Sequence, residues 1–425
     1  MGLIKLNISK KQHKPRFAAI EILKYIGPGF LAALAFIDPG NWATNVVAGS
    51  VYGYSMLWVV TISTVIFIVF QHDAAHLGIA TGYCLSEAAS IYLKPWLSRT
   101  IIFTALGACI ATAMAEILGG AIALNMLFAL PLSAGMILVA IFTVVMLFTN
   151  SYKKIERLII GFVGLIGLSF IFELSLVHVQ WGVALSSCVI PDFPKGSMLI
   201  IMSVLGSVVM PGNLFLHSEI IQSRQLNMES EEIKEKQLKY EFLDTAFSTF
   251  VGWAINSAMI IIAAAIFYAN NIKITELPQA HELLKPILGN FASVIFASAL
   301  LLAAVASSIT VGMAGGSIFA GIYREPYDIK DSHSKTGVLI TIVAALLCFL
   351  FVKNPLNALI YSQAIMSIQL PITIFFQIYV TSSKKIMGLY RNTRFNNALL
   401  WFLGIIISLL NVMFFVEFFK GIFNR

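Results

Sequence analysis

Runs of about 20 apolar residues with almost no charge recur along the whole chain, and nothing else constrains the fold so tightly. In hydrocarbon every backbone N–H and C=O must be paired within the protein, so such runs cross a bilayer as helices. A membrane β-barrel would show short strands of alternating polarity instead. Of 425 residues, 58% are hydrophobic and 12% charged, with a mean hydropathy of +0.86. No water-soluble protein of this size could hide that much apolar surface. Soluble enzymes, secreted scaffolds and disordered chains are excluded.

Eleven spans are predicted, near 22–50, 54–80, 99–128, 131–149, 155–177, 197–222, 240–269, 287–322, 337–352, 355–380 and 396–419. The net charge of +7 does not point to nucleic acid, because the charges sit in the short connections. With the N-terminus inside, the inner segments carry six, two, three, four, three and four Lys and Arg, which is 22 of the 28; six fall outside. The bias predicts a cytoplasmic N-terminus and an extracytoplasmic C-terminus in the cell membrane. The basic start, MGLIKLNISKKQHKPR, reads as a cytoplasmic tail and not a signal peptide. Cys84, Cys109, Cys188 and Cys348 are scattered without a CxxC pair, which argues against a disulfide framework or a zinc site. The linker QLNMESEEIKEKQLK reads as a solvated cytoplasmic helix.

Two of the spans contain the same helix breaker. The first holds Pro39-Gly40-Asn41 and the sixth Pro211-Gly212-Asn213. Proline removes a helical donor and clashes with the preceding turn, so both spans should break in mid-membrane. Broken backbone at that depth lines a cavity or is buried in protein. Breaks heading spans one and six of a ten-span array predict two inverted five-span repeats with the substrate between the breaks. The predicted organisation is a tail over 1–21, repeats over 22–177 and 197–380 joined by an extracellular connection over 178–196, and an eleventh span with the C-terminus over 381–425. Each first half-helix would end in free carbonyls, with those of Ala35 and Ser207 placed to face the gap. Two negative helix ends suit a cation.

Asp38 stands at the first break among apolar residues, and an intramembrane carboxylate is a functional candidate by default. Asn41 follows at i+3. Met210 holds the matching place at the second break, where a thioether prefers Mn²⁺, Fe²⁺ or softer ions to Ca²⁺ and Mg²⁺. Gln363 in span ten offers an amide oxygen, whereas Gln369 reads as helix packing. His217 lies two turns along from Met210, at the cytoplasmic exit or in a proton relay; a packed, hydrogen-bonded histidine is the other reading. Glu116 in span three is either a proton acceptor or a structural hydrogen-bonding group among small residues. His72 and His76 read as interface packing ahead of metal binding, and Glu173 and Asp244 as snorkelling to water.

Asp-Pro-Gly-Asn in span one with Met-Pro-x-Asn-Leu-x-Leu-His in span six resembles the Nramp divalent-metal transporters. AEILGGAIALNMLF, SSITVGMAGGSIF and SQAIMSIQLPITI agree with it, and the likeness runs from about residue 20 to 420. It implies an all-α polytopic LeuT-like fold and alternating-access import of Mn²⁺ or Fe²⁺ as substrate, with no cofactor. It also implies metal ligands at Asp38, Asn41 and Met210, with Gln363 joining in the occluded state and the carbonyls of Ala35 or Ser207 taking turns. Members commonly use a proton as co-substrate. Here, however, Gly212 stands where the family usually has histidine, and Ala113 where it usually has an acid. These positions belong to the family's proposed proton route, so the resemblance carries metal binding over more fully than proton coupling. The alternative function is a cation-coupled organic-solute transporter of the same fold. A membrane-embedded enzyme would need a paired base and nucleophile or a His-rich cluster, and neither appears.

Overall fold

The computed structural model describes residues 37–149, 152–224, 226–279 and 290–423, and the regular structure among them is all helix. In chain order come α1 (Pro39–Tyr52), α2 (Leu57–Thr81), α3 (Leu85–Tyr92), α4 (Pro95–Phe128), α5 (Leu132–Thr149) and α6 (Tyr152–Ser175). After them come α7 (Trp181–Ser187), α8 (Met198–Val208), α9 (Pro211–Gln222), α10 (Glu231–Ile266) and α11 (Asn290–Ile322). The last four are α12 (Ser332–Phe349), α13 (Pro355–Ser382), α14 (Lys384–Met387) and α15 (Arg394–Phe423).

Nine stretches among the described residues are long and apolar enough to cross a membrane. The difference from eleven has local causes. One stretch, Pro39–Thr81, contains both α1 and α2, which meet at a tight turn where Gly53 adopts φ 62°. The fifth predicted span falls on α6, whose described apolar stretch, Gly164–Ser175, is shorter than the nine. The first half of span one, with Ala35, lies outside the described residues.

Burial separates inner from outer helices. The α8–α9 stretch is 83% buried and α4 72%, whereas α5, α12 and α15 are each 33% buried. The outer helices turn residues such as Ile137, Ile141, Val343, Phe402 and Leu409 outward, as a lipid-facing surface requires. Inside, α4 packs along α11 and α13, α10 along α1 and α2, and α13 along α8. Small residues make these approaches close. A Cβ on Gly119 of α4 would fall 2.0 Å from the Pro39 Cβ, so α4 is pressed directly against the first break.

Two expectations change. The acidic and basic linker is helical and largely exposed from Glu231, as expected, but it runs straight into the next span: Ser230 caps it by accepting from the Ile233 N–H, and α10 continues unbroken for 36 residues. Glu173 and Asp244 do not snorkel. They are 1% and 5% exposed, because both point inward among packed helices and not toward the membrane surface.

Candidate metal-binding site

Both breaks are built alike. Asp38 (φ −67°, ψ 159°) and Met210 (φ −70°, ψ 123°) are extended residues that cap α1 and α9, each followed by proline as the first helical residue. Proline there sacrifices no hydrogen bond, and its fixed φ already suits the helix. The chain stops being helical at Val209–Met210, between α8 and α9, and restarts, as the sequence predicts; at the first break Asp38 starts α1, and the half-helix expected before it lies outside the described residues.

The first break orients its own carboxylate. Asp38 Oδ1 accepts the Asn41 backbone N–H at 2.5 Å and Asn41 Nδ2 at 2.8 Å. Oδ2 is fully buried and has no hydrogen-bond partner. Asn41 also ties the two breaks together: its Nδ2 donates to the Ser207 carbonyl at 3.2 Å, and its Oδ1 accepts from Ser207 Oγ at 2.7 Å. Asn41 and Ser207 thus bridge α1 to α8, and their amide and carbonyl groups are engaged with each other.

Asp38 and Met210 meet at a cavity of about 10 Å³, roughly the space of one water molecule. Thr112 and Glu116 from α4 line it, as do Gly212 and Asn213 from α9 and Ser307, Thr310, Val311 and Ala314 from α11. Glu116 Oε2 accepts from Ser307 Oγ, and its Oε1 has no hydrogen-bond partner. The Glu116 and Asp38 carboxyl groups are near enough to act on each other.

Gln363 approaches from α13. A Cβ on Gly40 would lie 1.5 Å from its Nε2, and a Cβ on Gly206 would lie 2.0 Å from its backbone oxygen. The glycines beside both breaks are what let Gln363 in. It is completely buried, yet neither its Oε1 nor its Nε2 has a hydrogen-bond partner. Such atoms are costly to bury unless something else engages them. Asp38 Oδ2 and Glu116 Oε1 are unsatisfied at the cavity; the Gln363 amide does not line it but lies unsatisfied beside the first break, against Gly40. Hard oxygens, one thioether and a water-sized space suit a partly stripped divalent cation.

The remaining expected residues fall as follows. Gly212 lines the cavity, and a Cβ there would lie 2.8 Å from Cys109 Sγ. Ala113 is buried in α4 but does not line it. His217 does not reach the cavity either; it binds Gln71 and Glu241. His72 bonds Glu241 and His76 sets its ring edge against Tyr390, so they form no metal pair. Gln369 packs as expected, donating to Thr104 Oγ1 at 3.4 Å. Sequence reasoning missed Thr112, Ser307, Thr310 and Glu241. Hydroxyls in apolar helices carry no distinguishing pattern, and Glu241, the second residue of the seventh predicted span, is passed over at a span end.

A family model described as natural resistance-associated macrophage protein-like (Nramp) matches residues 29–417. A divalent metal cation transporter MntH of Caldanaerobacter subterraneus subsp. tengcongensis is 36% identical over 394 residues, covering 91% of this chain and 92% of the relative. The MntH of a Nostoc species is 34% identical over 405 residues, covering 92% and 90%. Among solved structures, the Eremococcus coleocola manganese transporter superposes with a TM-score of 0.82 at 24% identity, covering 97% of this chain and 90% of that one. Mhp1, a nucleobase-cation-symport-1 transporter, shares the helical architecture at a TM-score of 0.62 and 16% identity, covering 91% of each chain.

Proposed function

The chain belongs to the Nramp family, transporters of divalent metal ions that are not enzymes and hold no cofactor, and from that premise we propose that it imports Mn²⁺, with Fe²⁺ as a second cargo. The observation that carries this reading is the convergence of Asp38 and Met210, the caps of two matched half-helices, on one water-sized cavity. Asp38 supplies the charge that replaces lost hydration, and Met210 supplies a soft ligand that hard ions do not reward. Gln363 completes the shell with its amide oxygen, freed of any competing hydrogen bond. Asn41 and the Ser207 carbonyl enter the shell when the two breaks move apart, and the Ala35 carbonyl takes its turn from the other side.

The bias of Lys and Arg supports a cytoplasmic N-terminus in the cell membrane, with the paired breaks heading the repeats 22–177 and 197–380. Hydrated metal then enters from outside, sheds water between the breaks, and leaves inward as α1 and α8–α9 rock against the surrounding helices. A cavity near the volume of one water favours a bare ion over an organic solute. The test is Mn²⁺ uptake into proteoliposomes. Asp38→Ala should reduce uptake to the level of protein-free vesicles, and uptake like that of the wild type by this variant would overturn the site.

A further inference from the structure

A line of hydrogen bonds runs from below the cavity toward the start of α10, and metal binding uses none of it. His217 lies one turn along α9 from the cavity-lining Asn213. Its Nε2 is 3.1 Å from Glu241 Oε1, and the other Glu241 oxygen is 2.5 Å from His72 Nδ1. Thr245 Oγ1 donates to Glu241 Oε1 at 2.7 Å. His217 and Glu241 are 2% and 5% exposed, whereas His72 is 30% exposed. His72 stands on the wall of an open cleft of about 640 Å³ with Glu232, Glu235, Lys236 and Lys239. Three titratable groups at hydrogen-bond distance therefore lead from the buried interior to water, across α9, α10 and α2.

We propose that His217, Glu241 and His72 form a proton relay between the central cavity and the cytoplasmic cleft, separate from the way the metal leaves. The proposal rests on the reading of the cavity as the transport site. It gives the chain a proton route that avoids Gly212 and Ala113, neither of which can titrate.

The hops balance. A neutral His217 with its proton on Nε2 takes a proton at Nδ1 from water on the cavity side. The imidazolium gives its Nε2 proton to the Glu241 carboxylate, which becomes neutral, and His217 returns from the Nδ1–H to the Nε2–H tautomer by exchange with water. The carboxyl hands a proton to Nδ1 of a neutral His72 that carries its own proton on Nε2. The His72 imidazolium sheds that Nε2 proton to water in the cleft and returns to the starting tautomer by exchange with water. Gln71 serves both states of His217. Its Nε2 lies 3.3 Å from His217 Nδ1 and donates to it when that nitrogen is bare. Its Oε1, buried without a partner, accepts the Nδ1 proton after the amide turns over.

The other charged groups nearby are engaged elsewhere. On α2, Asp73 accepts from Gln377, Thr381 and Asn392, and His76 packs on Tyr390. On α9, Glu219 turns to Ser317 Oγ and the Tyr327 N–H. On α10, Asp244 accepts from Ser248 at 3.5 Å, Glu231 pairs with Lys234 and accepts from Tyr390, and the remaining acids and bases are those of the cleft. Glu241 is the acid that bridges the two histidines.

The test uses the full chain in proteoliposomes with one dye for internal Mn²⁺ and one for internal pH. Wild type should acidify the interior as metal enters. Glu241→Gln should keep Mn²⁺ uptake within about twofold while proton entry falls roughly tenfold or more, and Glu241→Asp should restore part of it. His72→Gln should behave like Glu241→Gln. Proton entry driven by an imposed negative-inside potential, without metal, should fall in the same variants. Uptake by wild type without acidification, an unchanged ratio of protons to metal in Glu241→Gln, or a parallel loss of both fluxes would each overturn the relay. The last of these would mean a merely structural bridge. Absence of wild-type Mn²⁺ uptake would instead refute the proposed cargo, and the metal-free proton current would still decide for or against Glu241.

Discussion

Two glycines touch the same glutamine in different ways, and replacing each by alanine should separate packing from ligation. A Cβ on Gly206 would lie 2.0 Å from the Gln363 carbonyl oxygen and 2.9 Å from the Ser367 nitrogen. Both are backbone atoms of α13, fixed in its hydrogen-bond ladder. Ordinary contact begins near 3.4 Å, so α8 and α13 would have to part by about 1.4 Å, an overpacking that costs about 1–3 kcal/mol or more. On Gly40 the added Cβ would lie 1.5 Å from Gln363 Nε2, a harder collision on paper. That atom, however, ends a side chain with three rotatable bonds and no hydrogen bond to hold it. The amide can swing aside, away from the first break. Gly206→Ala should therefore lower the thermal midpoint and the folded yield in detergent, measured by size-exclusion chromatography after heating. Gly40→Ala should leave the midpoint near that of the wild type while Mn²⁺ affinity falls about tenfold, the loss of roughly 1.4 kcal/mol from one ligand. A Gly206→Ala midpoint equal to wild type would show that the α8–α13 approach is not tight. Undiminished affinity in Gly40→Ala would show that the Gln363 amide is not a ligand.

Met210→Ala should chiefly relax selectivity: competition of Ca²⁺ and Mg²⁺ against Mn²⁺ uptake should strengthen, and unchanged competition would mean that the sulfur does not select. Outside the membrane, Asp331 caps α12 by accepting from the His333 and Ser334 N–H groups at 2.7 and 3.3 Å. Desolvation works to raise its carboxyl, but these backbone hydrogen bonds and the His333 charge outweigh it and hold the group below its usual value of 3.8. A lowered folded-state value means stability that is present above the unfolded value and lost as pH falls through the folded one. The α12 contribution should thus fade only below about pH 4, and Asp331→Asn should flatten that part of the acid-denaturation curve.

The breaks were legible because proline and glycine act locally: their effect on a helix does not depend on what packs around it. Asp38 and Met210 followed from the breaks, and Gln363 from its polarity in an apolar helix. Depth was not legible in the same way. Glu241 stands at the very start of the seventh predicted span, where a charge usually reaches water, but α10 runs unbroken past it and sets it between His72 of α2 and His217 of α9. Glu173 sits near a helix end, where charges usually reach water, and is 1% exposed because its face of α6 packs inward. Ser307 and Thr310 differ from filler only through their neighbours on α4, which a single sequence does not reveal. Charge and breaker patterns fix what a residue is beside along the chain, and three-dimensional packing decides what it faces.

The substituted positions make sense together once that packing is known. Gly212 points toward Cys109 Sγ at a distance that leaves no room for a side chain, so the sulfur of α4 fills the space a larger residue on α9 would take. Ala113 follows one turn after Cys109 on the same helix, with Glu116 beyond it. Along this face of α4 the groups are the Cys109 thiol, the Thr112 hydroxyl and the Ala113 methyl, and Glu116 beyond them reaches the cavity with Asp38. Neither Gly212 nor Ala113 carries a side chain that titrates, and the Cys109 thiol beside Gly212 is buried. The next titratable side chain along α9 is His217, and it is bonded to an acid that in turn reaches a second histidine at water. Losing titratable groups on one side of the second break while retaining a connected set on the other is what a rerouted proton path requires. Glu241 is only 5% exposed, and both of its oxygens are held, by His217 and Thr245 on one side and His72 on the other, which is the connected set that such a path would use.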